Sequence, residues 1–340
     1  RFIFEDDTAM YVYKVSGLEA ESQKESFTLH LVSREYFSNE TSRCGKKYQP
    51  QNISAHVKDI LKNTLKTEKY DDKNIEETSN QFTFIGNNKK PFHTLLWLAP
   101  KGIISKGKAS GESGEGETTD GKGKGTAGFF FFENKDGFNF KSIESLVSET
   151  QIGSNSADKK DIYSYAYTGV IQAGLIDGPE YPIYNFFVEK NMDVRKQLRV
   201  GMYRNYTYFY DIWNNQFSGY EYDLKKELGK TLGKDEIVTD SKLTESVTRT
   251  MFRVSDHGIL AQETGNEESG RDRTDMAKSY ARYNLLFTQA LNISVPCNIN
   301  LKVGDIIECH FPQKLGGKAI EADPRMSGLY LIRELRHHFA

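Results

Sequence analysis

Gly128-Phe-Phe-Phe-Phe-Glu-Asn-Lys-Asp-Gly-Phe-Asn-Phe-Lys-Ser-Ile-Glu-Ser-Leu146 decides how the middle of the chain folds. An apolar run, Phe129 to Phe132, meets a polar tetrad ending in Asp136-Gly137. A second run then alternates Phe138, Asn139, Phe140 and Lys141. Aspartate and glycine tolerate the positive φ of a tight turn, so the two aromatic runs predict a β-hairpin. Ser142, followed by Ile143, Leu146 and Val147, predicts a short helix that folds back on the hairpin. The unit is rich in core residues and carries no side chain suited to catalysis, which is the pattern of a scaffold.

Working outward, the whole chain has 340 residues, enough for roughly two or three domains with separate cores. Aromatic residues make up 12% of it, a weighting that favours β structure. The net charge of −2 argues against a dedicated nucleic-acid binder, which carries a strong basic excess. No apolar run approaches the ~20 residues of a membrane span. The chain opens on Arg1 with no visible signal peptide, so an upstream targeting segment or further strands are left open. Cys44, Cys297 and Cys309 follow no CxxC spacing and suit a reducing cytoplasm better than a disulfide framework. Sequons at Asn39, Asn52, Asn205 and Asn292 are expected by chance in so polar a chain.

On the N-terminal side, Met10 to Val15 and the alternating Phe27, Leu29 and Leu31 predict two strands with a tip over Glu19 to Glu25. Ile53, Val57, Ile60, Leu61 and Leu65 recur at helical spacing after Asn52 or Ser54 as N-cap. Phe82, Phe84 and Ile85 predict a strand, and Pro91 a second helix that stops at Pro100. Residues 106–127, rich in Gly, Ser, Lys and Glu, cannot bury enough apolar surface to offset chain entropy and predict an exposed loop. On the C-terminal side, Tyr163, Tyr165 and Tyr167 alternate, as do Tyr206, Tyr208 and Tyr210. Helical pieces are expected around the polar stretch Thr264–Asp275. Leu291 to Val303, Ile306-Ile307 and Tyr330, Ile332 then predict short antiparallel strands, as in a small barrel.

Motifs that could carry chemistry stand in the wrong context. Gly123-x-Gly125-x-x-Gly128 matches a dinucleotide fingerprint, but that fingerprint needs a strand before it and a helix N-terminus after it. Here a loop precedes and the Phe strand follows. Gly116 to Gly121-Lys122 imitates a phosphate loop, but Gly123 stands where Ser or Thr must hold magnesium. Cys309-His310 and His337-His338 are adjacent pairs whose members diverge on a strand; a metal site would have to combine one pair with the other, and a strand cysteine with solvated histidines is the plainer reading. Asp161, Asp177 and Asp211 lie near aromatics where turns and strand ends explain them, and no Gly-x-Ser-x-Gly elbow is present. The aromatic stretch 203–222, with Arg204 and Trp213, could stack bases or sugars; a packed strand or a subunit interface fits it better. No catalytic, cofactor-binding or metal-binding residue is therefore assigned.

Three passages carry a family resemblance: Phe27 to Leu65, the hairpin Gly128 to Phe140, and the closing segment. The last contains Ala290-Leu-Asn-Ile-Ser-Val, Asn300-Leu-Lys-Val-Gly-Asp-Ile-Ile and Ser327-Gly-Leu-Tyr-Leu-Ile-Arg-Glu-Leu-Arg-His-His-Phe. In this order they resemble the baseplate hub protein of contractile-tailed bacteriophages, a relative of the hub part of the VgrG spike of type VI secretion. The resemblance implies a β-rich α+β chain with two tube-type antiparallel β-barrel domains, an inserted α/β domain and a helical insertion. The first barrel would be residues 1–43, incomplete at its N-terminus, and the α/β domain 44–150. The second barrel would be 151–222 with 286–340, and the helical, polar insertion 223–285.

It further implies a homotrimer of pseudo-sixfold symmetry that joins a hexameric tail tube, or its initiator, to a trimeric central spike, with baseplate wedge proteins as further partners. Such a protein is structural rather than enzymatic, needs no cofactor, touches no membrane, and resides in the virion after assembly in the host cytoplasm. DNA would pass through its bore without specific binding, so few Lys or Arg are expected to face the lumen. The rival expectations are a tail-associated cell-wall hydrolase and a carbohydrate- or receptor-binding module built on 203–222.

Overall fold

The computed structural model describes residues 9–104, 127–148, 162–167, 181–190, 193–212, 215–224, 241–255, 271–313, 323 and 325–339. The loop expected at 106–127 therefore lies outside the described residues except for Ala127, as do Asp161, Asp177 and Trp213.

The chain opens with β1 (Met10–Glu21) and β2 (Lys24–Ser33), an antiparallel hairpin, followed by α1 (Arg34–Thr41). The strands run longer than expected and leave only Ser22-Gln23 as the tip. An α/β unit follows. It contains β3 (Lys47–Asn52), α2 (Ile53–Asp59), β4 (Gln81–Ile85) and α3 (Pro91–Leu98), then β5 (Phe129–Asn134), β6 (Gly137–Ser142) and α4 (Ile143–Ser148). Ile53, Val57, Ile60, Leu61 and Leu65 all face its core, with α2 running on into a π turn over Ile60–Leu65. Pro91 opens α3 as expected, and buried Asn39 of α1 accepts the Phe92 N–H at 2.9 Å, one of the donors a helix start leaves unpaired.

Hairpin β5–β6 is the seam of the molecule. Phe129, Phe131, Phe138 and Phe140 share one face; Phe129 stacks on Phe140 at 4.7 Å, Phe131 on Phe138 at 5.6 Å, and Phe92 of α3 packs against the second pair. On the other face Phe130 meets Tyr283 and Phe287, and Phe132 lies against Gly304. The turn is Lys135-Asp136, and Asp136 does not take the positive φ expected of it. Gly137 does, at +110°. A Cβ there would sit 2.2 Å from the Lys69 carbonyl, which accepts the Phe138 N–H at 2.7 Å, so glycine is required by close approach as well as by φ. Ser142 caps α4 by accepting the Ser145 N–H at 3.0 Å, while its own N–H and hydroxyl donate to the buried Glu76 carboxylate.

The C-terminal half forms open sheets. One has the order β15 (Gly328–Leu331), β14 (Ile306–His310), β7 (Tyr163–Tyr167), β8 (Tyr181–Ile183). A second pairs β13 (Ala290–Ser294) with β9 (Asn185–Lys190), and both share a core of Tyr165, Ile183, Leu301, Ile307, Cys309 and Phe311. A third has the order β11 (Gln216–Asp223), β10 (Arg204–Asp211), β12 (Arg249–Ser255). Its inner face packs near α5 (Val194–Val200) and α6 (Arg271–Leu286) through Met202, Tyr203, Tyr222 and Ala281.

The fold is thus mixed α+β and rich in strands, and the described residues contain no closed barrel. The expectation of purely antiparallel sheets is corrected: β7–β8, β7–β14 and β10–β12 are parallel. Long intervening segments permit parallel pairs, which tight hairpins do not. The range expected as a helical insertion contributes a strand, β12, to this third sheet. Residues 295–303, expected as part of the strand run, form coil and turns instead, and a turn follows at Gly304, with Asp305 accepting the Lys302 N–H at 2.9 Å.

Helix α6 ties the halves together. Buried Arg282 donates to the Ala127 carbonyl at 2.6 Å and forms an ion pair with Glu144, and the Tyr283 hydroxyl donates to the Phe129 carbonyl. At the hairpin tip, Lys135 donates to the Ile299 carbonyl at 2.9 Å and Asp136 pairs with Lys302.

Candidate assembly surfaces

Two β faces are left uncovered. The first belongs to β1–β2. The register opposes Val12 to Leu31 and Val15 to Leu29, and Phe27 follows Leu29 at strand spacing, so all five share one face. In a regular strand Val12 and Val15, three residues apart, would point to opposite sides. The bulge between Val12 and Lys14 brings them back together. All five are exposed, as is Leu18 near the tip at 71%. The other face is aromatic and polar and is anchored at its root to α1: Tyr11 meets Phe37 edge-on at 6.2 Å, and Tyr13 contacts His30 and Tyr36. The His30 ring also shares a 2.7 Å hydrogen bond with Ser16. An isolated two-stranded hairpin is marginal in water, and this one shows solvent both an aliphatic face and the outer edges of two long strands.

The second uncovered face belongs to β11–β10–β12. Registers place Tyr206, Tyr208 and Tyr210 of β10 beside Gly219 and Phe217 of β11 and Phe252 and Val254 of β12. The rings form two groups on this face: Tyr206 to Tyr208 at 4.6 Å with Tyr208 stacked on Phe252 at 5.1 Å, and Tyr210 to Phe217 at 4.7 Å. Tyr206 leans across β11, where a Cβ on Gly219 would lie 2.1 Å from its hydroxyl. Phe252 is 75% exposed, and Phe217 and Val254 are similarly bare. Arg204 is spent on Glu221, whose carboxylate it reaches at 2.5 and 2.6 Å, and on the Thr244 and Glu245 carbonyls. The cation that would favour base stacking is therefore engaged within the protein. The inner face is buried: Asn205 donates to the Gly201 carbonyl, and Phe209 and Tyr222 pack inward.

The sequence-flagged chemistry falls into ordinary structural places. Gly128 has φ +131°, receives the Ile143 N–H and donates to the Gly102 carbonyl, which is strand-edge bonding. The rest of that glycine fingerprint lies outside the described residues. Cys309 lies on β14 with its side chain buried, where desolvation pushes its thiol up to about 12, and His310 faces Glu308 at 3.5 Å. Neither meets His337 or His338. Instead Cys297 sits 3.4 Å from His337, a pairing that the adjacent-residue pattern gave no reason to expect. Among the described residues no group of three or more His, Cys, Asp or Glu converges as a metal cage. Asp211 ends β10. Of the sequon residues, Asn39 and Asn205 are buried hydrogen-bonding positions.

The buried titratable network lies in the α/β core. His56 is enclosed by Tyr48 and Phe84; Gln51 donates to its Nδ1 at 2.8 Å, and its Nε2–H donates to the Phe82 carbonyl at 2.6 Å. Burial holds its pKa below the ordinary imidazole value. Glu35 is buried too, which pushes its carboxyl up, but its backbone N–H, the Thr67 hydroxyl and the Lys69 ammonium together bring it below the usual range.

No family model matches the chain, and no curated protein matches it either. Among solved structures it is similar to the tail protein from Neisseria meningitidis MC58, at 10% identity and a TM-score of 0.44, over 89% of this chain and 69% of that one. A superposition that loose does not establish a shared fold. No helix of the described residues is long and apolar enough to cross a membrane.

Proposed function

We propose that the chain is a structural component of a phage tail, namely the baseplate hub. In this reading three copies form a ring of pseudo-sixfold symmetry between the tail tube and the central spike. The ring acts by assembly rather than turnover and lets DNA pass without binding it. One observation carries the proposal: hairpin β1–β2 has a continuous aliphatic face open to solvent, a surface that makes sense as part of a larger β structure shared between chains. The sequence resemblance supplies the kind of assembly. Symmetric closure would protect strand edges that a lone chain leaves open.

The test is sedimentation of the purified chain together with electron microscopy of the product. The expected result is a closed threefold ring. A chain that stays monomeric at its highest soluble concentration, or that closes with another symmetry, would overturn the hub reading.

A further inference from the structure

We infer that the aliphatic face of hairpin β1–β2 in one copy packs on the aromatic face of sheet β11–β10–β12 in a second copy, head to tail. This rests on the assembly reading above and names the occupant of both uncovered surfaces. Each chain carries the two faces, and neither is covered among the described residues: Val12, Val15, Phe27, Leu29 and Leu31 are exposed on one, and Tyr208, Phe217, Phe252 and Val254 on the other.

Their chemistry fits. The hairpin face is mainly aliphatic, with narrow side chains. The sheet face offers a broad aromatic platform with relief, because Tyr208 and Phe252 stack face to face across β10 and β12 at 5.1 Å with planes 14° apart while Gly219 has no side chain beside them. Two sheets that pack face to face interdigitate in this way at ~10 Å separation. Charge stays at the margins of the contact, since Glu25, two residues beyond Phe27 on the same face, lies at the tip end of the hairpin. Glu221, which shares the sheet face, is neutralised by Arg204, and the hairpin's Lys14 is opposite His30, off the aliphatic face. The hairpin is long enough to span the sheet, with twelve and ten residues in β1 and β2 against eight in β10 and in β11.

Area supports a specific contact. With aromatic side chains contributing ~150–250 Å² each when fully buried, the sheet face offers on the order of 400 Å² of exposed apolar surface. That is the core of a standard interface, whose polar rim brings each side to about 800 Å². A head-to-tail contact covers both faces at once, whereas hairpin-on-hairpin packing leaves every aromatic sheet bare. Because the two surfaces differ, the contact is heterologous, and it closes into a ring when its rotation allows.

The experiment uses two full-length variants, Val15→Asp on the hairpin and Phe252→Asp on the sheet. Both positions point to solvent, and circular dichroism verifies that each variant folds. The wild type is expected to associate, and each variant alone to sediment as a monomer. An equimolar mixture should yield a two-chain species and nothing larger, because the intact hairpin of one variant docks on the intact sheet of the other and both remaining faces are blocked. Leu29→Asp with Val254→Asp, the second pair, should behave alike.

Association of Phe252→Asp alone overturns the head-to-tail contact and leaves the hub reading standing, since the hairpin then pairs without the sheet. A mixture that stays monomeric while the wild type associates overturns it as well. A two-chain mixture beside a wild-type ring of other than threefold symmetry keeps the contact and sinks the hub.

Discussion

Hairpins β5–β6 and β1–β2 are both antiparallel and rich in large apolar side chains, yet Phe140 in the first is 0% exposed and Val15 in the second 56%. The first is enclosed on both sides, by the α/β core and by α6 with the 302–305 turn. Among the described residues the second is held at its root, by α1. Alternation of side chains makes a strand, but it does not say what covers it. In one hairpin the cover is the rest of the chain; in the other none of the described residues supplies it.

The sharpest way to break the comparison is to cut into each hairpin. Phe140→Ala should lower unfolding stability by ~3–5 kcal/mol in a denaturant titration, because a buried ring leaves a cavity. At a concentration low enough to keep the chain monomeric, the double variant Val15→Ala, Leu29→Ala should stay within ~0.5 kcal/mol, as solvent-facing changes do. If the two cost the same, the β1–β2 face is covered within the chain after all.

Next in size comes the link that encloses β5–β6. Glu144→Ala leaves Arg282 buried without its carboxylate and should cost about 3 kcal/mol in the same titration, the lower part of the range for stranding a buried charge. Gly137→Ala should cost ~1–3 kcal/mol from its backbone conformation, with the Lys69 carbonyl adding to it. A Gly137→Ala variant as stable as wild type would mean that the turn can shift.

The smallest effect separates the cores by pH. His56 has a folded-state pKa below its ordinary 6.5, so below about that pH the unfolded chain takes up a proton that the folded chain resists, and stability falls. His56→Gln should flatten the decline in thermal midpoint between roughly pH 7 and 5. Glu35 acts in a different window. Its folded pKa lies below 4.5, so its contribution is present above that pH and is lost only as pH falls through the lower folded value. A slope unchanged in His56→Gln would assign the decline to other groups.

Much of the α/β unit was legible because its signals are local. Ile53 to Leu65 at helical spacing, Pro91 at a helix start and Ser142 as a cap each name an element from a few neighbours. Sheet composition was not legible. The parallel pairing of β10 with β12 joins Asn205 to Arg249 across more than forty residues, and no spacing within either strand encodes it. The positive φ at Gly137 rather than Asp136 depends on the Lys69 carbonyl, which is remote in sequence. Of the candidate surfaces, the aromatic stretch 203–222 was visible as an interface candidate. Its completion by Phe252 and Val254 was not, and the exposure of β1–β2 was hidden because a strand pattern is the same whether its apolar face is covered or bare.

The α6 anchor has a consequence for how the protein is made. Arg282 follows Glu144 by 138 residues, and Tyr283 follows Phe129 by 154. At ~5–20 residues per second of synthesis, hairpin β5–β6 waits on the order of 10–30 s on the ribosome before the helix that closes its second face is available. During that interval Phe130 and Phe132 lack their final neighbours. The aromatic seam is therefore exposed on the nascent chain until α6 is made, and chains cut short before α6 should aggregate more readily than the full chain.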